Sequence, residues 1–226
     1  MLSDLPIYVY ITFFAALLYV LVMFYFASNR NSKLVAVVVL VGIVHSLLGL
    51  LGFYENTSTV PPRLMLLMFP IVMITISTIF SKKMKAWLKS LNLKHLTYLH
   101  AVRVPVELVI FWLFTAGYAP ELMTFEGRNF DILAGITAPI IALIAFRGSK
   151  INKPLLFGWN VLSLILLGNV LVNASLAVPT VFQQFAFDQP NIAVLKFPFF
   201  LLPGIIVILV FLSNIAGFVI LSSSKQ

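Results

Sequence analysis

Apolar runs of roughly twenty residues recur along this chain, and a run of that length wound into an α-helix matches the hydrocarbon thickness of a bilayer. Ile7–Ala27 contains no charged residue, and Leu34–Tyr54, Leu155–Leu176 and Phe197–Leu221 contain none either. Leu64–Phe80 and Asp131–Phe146 are shorter segments of the same kind. Leu96–Tyr118 is the least apolar, because it carries His100, Arg103 and Glu107. These patterns predict an all-α polytopic membrane protein, a seven-helix transmembrane bundle forming a single domain over residues 1–226. A water-soluble fold is excluded by amount. With 61% apolar and 10% charged residues, the chain has too little polar surface to cover itself in water. The first run has no basic stretch before it and is too long for the apolar part of a signal peptide, so it reads as a span.

The charges orient the bundle. With seven crossings, Arg30 and Lys33 fall after the first segment, and Lys82, Lys83, Lys85, Lys89 and Lys94 after the third. Arg147, Lys150 and Lys153 follow the fifth, and Lys225 follows the seventh. All then share one side, whereas Arg63, Arg128 and Lys196 lie on the other. Short cytoplasmic loops are rich in Lys and Arg, so the N-terminus is expected outside and the C-terminus in the cytoplasm, in a cytoplasmic (inner) membrane. Removing the fourth segment would put the five-lysine loop and the Arg147 loop on opposite faces. The net charge of +8 is thus a rim facing anionic lipid, and no nucleic-acid partner is implied. Within that rim, Ser81–Leu93 places Met84, Trp87, Leu88 and Leu91 at helical spacing between lysines. It reads as an amphipathic interfacial helix between the third and fourth spans.

Cysteine is absent, which removes disulfides, thiolate catalysis and Cys-based metal sites. No H-E-x-x-H, G-x-S-x-G, Walker or dinucleotide motif occurs, and no cofactor is expected. His45 and His100 sit at different depths, a poor match for axial haem ligation.

Charges within the bilayer are expensive, about 2.5–3.5 kcal/mol each at a helix centre on insertion scales, and they mark the candidate site. His100, Arg103 and Glu107 follow i, i+3, i+7 spacing and share one face of the fourth segment. Pro105, which lies between Arg103 and Glu107, removes a backbone hydrogen bond from this helix. His45 and Glu107 each lie about twelve residues from a cytoplasmic helix start, which brings both near mid-membrane at 1.5 Å per residue. They form a proton-relay or cation site if their helices touch. The competing reading is structural, with Arg103 neutralising Glu107 and His45 bonding a carbonyl. A second cluster, Glu121, Glu126, Arg128 and Asp131, is expected at the outer face, with Asn129 or Asp131 capping the fifth helix, Gly127 permitting a tight turn, and Arg63 partnering Glu126 or Asp131. It is either a salt-bridged lid or a substrate rim. Asn169 and Asn173, one turn apart on the sixth segment, suit either interhelical hydrogen bonds or a polar cavity wall. The connection 177–193, with its VFQQFAF run, either dips into the interface or covers a cavity mouth.

The leading expectation is a small transporter or channel-like protein for a small polar or ionic substrate. Its path would be lined by His45, His100, Arg103 and Glu107, with Arg63, Glu126, Arg128 and Asp131 at the mouth. The alternatives are a membrane-embedded enzyme on a lipid or lipid-linked substrate, with Glu107 and His100 as acid and base, and a non-catalytic sensor or assembly subunit.

Overall fold

The structure, a computed structural model, describes residues 2, 4–148 and 150–223; Lys225 lies outside the described residues. It is all-helical, with no strand among the described residues. The α-helices are α1 (Ile7–Ala27), α2 (Ser32–Leu50), α3 (Phe69–Phe80), α4 (Lys82–Ser90), α5 (Leu93–Leu99), α6 (Arg103–Thr115), α7 (Asp131–Ala145), α8 (Lys153–Leu176) and α9 (Val207–Ser222). Five segments are long and apolar enough to cross a membrane: α1, α2, the α5–α6 run Leu93–Thr115, α8, and Leu202–Ser222. The α5–α6 run, weakest by hydropathy, is among them. α3 and α7 are shorter apolar helices of 12 and 15 residues.

Burial separates centre from periphery. In the α5–α6 run and in Leu202–Ser222, 61% of the best apolar window is buried, against 11% in α2. α5 and α6 pack on α1 and α7, α9 packs on α8, α5, α4 and α3, and α2 leans on α1. Large apolar side chains such as Ile11, Leu18, Leu40, Leu50, Leu143 and Ile165 remain exposed around the outside, as a lipid-facing surface requires.

Several boundaries differ from the apolar runs for local reasons. α2 stops at Leu50, and Gly52 then adopts a left-handed conformation (φ 73°), so Tyr54 sits in a separate 3-10 turn, Phe53–Glu55. The third segment opens with a 3-10 turn, Arg63–Leu67, before α3. Between α5 and α6 the helix tightens to a 3-10 turn, His100–Val102. The Pro105 ring follows and would crowd the Ala101 carbonyl in a regular α-helix. The last segment is not helical from Phe197: it enters through a π turn, Leu202–Ile206, around Pro203, before α9. Ser81 caps α4 by accepting from Met84 N. The apolar side of α4, with buried Leu88, packs on α9. The 177–193 connection contains no α-helix. It is tied across the end of α6, where Ile192 N and Ala193 N donate to Tyr118 O and Gln189 Nε2 donates to Phe114 O and Ala119 O.

The two ends of the bundle differ in charge. At one end Asn92 N donates to Ala27 O, Asn29 Nδ2 donates to Ser90 O, and Lys94 and Arg147 flank a common groove between α5 and α7. At the other, Lys196 pairs with Glu55, and Tyr118 donates to Asp4.

Candidate functional site

The most expensive groups in the chain converge on one buried cluster at α6, α7 and α8. Small residues make that convergence possible. The buried face of α7 is Asp131, Ala134, Gly135, Ala138, Ala142 and Ala145, a stripe that lets helix backbones approach closely. At Gly135 the approach is close: a Cβ there would lie 2.9 Å from Val104 N and 3.1 Å from Arg103 Cβ. Asp131 stands one turn before Gly135 on the same face, so it is delivered to Arg103.

Arg103 and Asp131 are 3% and 5% exposed and form an ion pair at 2.5 Å. Arg103 also donates through Nη1 to Ser163 O (3.1 Å) and through Nη2 to Ser163 Oγ (3.0 Å) on α8. Ser163 Oγ in turn contacts His100 Nδ1 at 3.3 Å, and Trp159 packs edge-on against the His100 ring. Glu107, 1% exposed, accepts from Asn129 Nδ2 at both oxygens, at 2.7 and 2.8 Å. Asn129 also donates to Met123 O and accepts from Asp131 N. Arg103 Nε is buried with no hydrogen-bond partner.

The cluster changes the expected map. Asp131 and Asn129, expected at the outer face, reach the depth of Arg103 and Glu107, so two constellations that are separate in sequence are partly one. The loop before α7 makes this possible by descending into the bundle, with Met123, Thr124 and Asn129 buried. Gly127 is required there, because a Cβ would overlap the Glu121 carbonyl and Leu122. Neither predicted cap of α7 forms in the usual way: its N-cap is Phe130, and the Asn129 side chain instead closes a local turn on Asp131 N. Glu121, Glu126 and Arg128 stay exposed. Arg63 partners neither Glu126 nor Asp131; its guanidinium lies over the Phe53 ring, 4.8 Å from the centroid. Among the described residues, Arg63, Glu121, Glu126 and Arg128 form no ion pair. Asn169 donates to Arg128 O, and Asn173 donates to Asn169; this is the interhelical use, and neither residue lines the cavity described below.

His45 and Glu107 are not brought together. His45 Nδ1 is 2.5 Å from the Tyr54 hydroxyl, and Tyr54 packs on Phe200. The π turn lies between the two sites. A Cβ on Gly204 would sit 3.7 Å from His45 Cδ2, while Pro203 and Ile206 face the Glu107 side. α2 is peripheral and α6 central, so equal depth does not produce contact. Arg103 pairs with Asp131 and not with Glu107, and Gly135, one turn on from Asp131, lets α7 lie close to α6. The Ser163 and Asn129 partnerships depend on helix rotation and loop descent, which periodicity does not reveal. The small-residue stripe on α7 was the available signal.

A cavity of about 80 Å³ adjoins the cluster, with Arg103, Glu107 and Asp131 in one wall and apolar side chains of α6, α8, the π turn and α9 in the others. His100 does not line it. Leu171, Ala174, Asn191, Val194 and Pro203 are shared with a second cavity of about 50 Å³. Leu64, Met68, Ser175 and Val178 are shared between that cavity and a third of about 230 Å³, which reaches the exposed side chains of Met65 and Phe182. The three form an apolar series from the buried charges to the C-terminal end of α8, beside the Arg63–Leu67 turn and residues 178–182. Among the described residues, no three His, Asp or Glu side chains are grouped to hold a metal ion. No family model, curated protein or solved structure matches this chain.

Proposed function

We propose that this multi-pass membrane protein binds an amphiphile drawn from the bilayer, its head at Arg103 and Glu107 and its tail leaving between α8 and the turn before α3. One observation carries the reading. The cavities leading to the buried charges are lined almost wholly by apolar side chains and emerge between the turn before α3 and the C-terminal end of α8, beside exposed Met65 and Phe182. A polar or ionic solute would lose its hydration along such a path without replacement, which disfavours the channel-like alternative. The acid–base alternative is weakened because Glu107 lines the cavity and His100 does not.

In this reading the chain is one transmembrane domain crossing a cytoplasmic membrane seven times, N-terminus outside. The common groove of Lys94 and Arg147 supports a single basic end, as the positive-inside rule requires. α3 and α7 are shorter than the ~30 Å hydrocarbon core. The 3-10 turn before α3 adds about 10 Å at ~2 Å per residue, and the loop above α7 is buried in protein, where non-helical backbone at membrane depth is tolerated.

The test is native mass spectrometry of protein released from membranes in mild detergent. A lipophile should co-purify with the wild type and be lost from Ala174→Phe, which fills the neck shared by the first two cavities. Equal lipid content in the two proteins, both folded, would remove the reading.

A further inference from the structure

We infer that the groove between α5 and α7, at the basic end of the bundle and separate from the Arg103 cavity, seats a net-anionic phospholipid whose phosphate is held by Lys94 and Arg147. The groove encloses about 410 Å³ and is lined by Lys94 and Tyr98 of α5, Ala142 and Leu143 of α7, and Phe146 and Arg147 just beyond α7. Lys94 and Arg147 are exposed, and among the described residues neither forms an ion pair. The acids lie elsewhere. Glu107 and Asp131 are buried in the core. Asp4 and Glu55 make their contacts at the opposite end. Glu121 and Glu126 precede the start of α7, and Asp188 belongs to the connection tied to Tyr118, also at that opposite end. Two cations thus face one groove without a counter-charge, which an anion would supply. Basic pockets between spans are a recurring way of holding anionic lipid heads.

The rest of the groove selects a lipid as the source of that anion. Leu143 is 64% exposed, and Ile140, Ile136 and Leu133 continue from it along one face of α7, each about half exposed. Ten residues from 143 to 133 at 1.5 Å each span about 15 Å, half of the ~30 Å hydrocarbon core. One acyl chain on this stripe and a phosphate at its charged end match both features, with Tyr98 of the aromatic type that settles at head-group level. A soluble phosphate makes no use of Leu143 and Phe146 in the groove wall. A zwitterionic lipid brings an ammonium that the two cations repel. A second copy in the same membrane orientation brings no acid to this end.

The experiment titrates the full chain, in mild detergent, with phosphatidylglycerol and phosphatidylcholine of equal chain length, and reads bound lipid by native mass spectrometry. Phosphatidylglycerol should bind at least about tenfold more tightly, since each cation near an anionic lipid contributes roughly fivefold. The Lys94→Gln/Arg147→Gln double variant should lose that preference. Lys82→Gln/Lys85→Gln, which removes the same charge from α4 at the same end, should keep it. All four positions are exposed, and circular dichroism checks that both variants are folded. Equal binding of the two lipids by the wild type, or a preference that survives in the groove variant, overturns the inference. Equal losses in the two variants mean a diffuse basic rim and overturn it as well. If inorganic phosphate at the lipid's concentration displaces phosphatidylglycerol, the groove takes a soluble anion and the lipid assignment is wrong. A lipid-free dimer that only the groove variant dissociates would place a second copy there instead. None of these outcomes bears on the Ala174→Phe test of the Arg103 cavity.

Discussion

Arg103 and Asp131, 28 residues apart in sequence, meet at 2.5 Å in the interior of the bundle, where α7 packs on α6 through Gly135. This contact organises the site. It neutralises a guanidinium that would otherwise be prohibitive in hydrocarbon, and it anchors the start of α7 and the inward loop that carries Asn129 to Glu107.

Breaking one side of this pair should cost far more than replacing both. Asp131→Asn is expected to destabilise the folded protein by about 3–5 kcal/mol, because it strands a buried cation. Arg103→Met combined with Asp131→Leu should recover most of that loss. Thermal unfolding in detergent, followed by circular dichroism, measures all three proteins. An Asp131→Asn variant as stable as wild type would show that the pair contributes nothing.

Two glycines should behave in opposite ways. Gly135→Ala places a methyl group within 2.9 Å of the α6 backbone, so α7 must retreat, with an expected loss of about 1–3 kcal/mol from overpacking. At Gly168, inside α8, an added Cβ meets nothing within 4 Å. Gly168→Ala should therefore be neutral or stabilising by about 0.5–1 kcal/mol from helix propensity. The same unfolding assay separates them.

Tyr54 and His45 form a second buried contact outside the proposed site. Tyr54→Phe keeps the ring packing on Phe200 but leaves a ring nitrogen of His45 unpaired, at an expected cost of about 1–3 kcal/mol. Co-purification of the lipophile should not change. Its loss with stability intact would place His45 in the binding pathway after all.

Orientation is checked independently of the site. A reporter enzyme active only in the cytoplasm should be active when fused near Lys85 and inactive when fused near Arg128. The opposite pattern, or activity at both positions, would remove the seven-crossing topology.

The difference between the sequence reading and the structure is clearest at Asp131. Its charge and its place at the start of an apolar run are local properties, and both are visible in sequence. That it turns inward depends on Gly135, Ala138 and Ala142 presenting no bulk to α5 and α6, a property of two surfaces together. Arg63 shows the same limit from the other side, since nothing local distinguishes a carboxylate partner from the face of Phe53.

The amino-acid sequence alone determined that this chain is helical and that lipid is part of its solvent, because apolar length and charge scarcity act residue by residue and need no partner. It also identified Arg103 and Glu107 as groups whose burial demands compensation. Only the tertiary structure decided how each is compensated: Asp131 and Ser163 for Arg103, Asn129 for Glu107, Tyr54 for His45. Helical period sets which residues share a face. The rotation of α7 against α6, the descent of the 120–130 loop and the π turn between His45 and Glu107 set which faces meet, and these come from close packing between segments far apart in the chain.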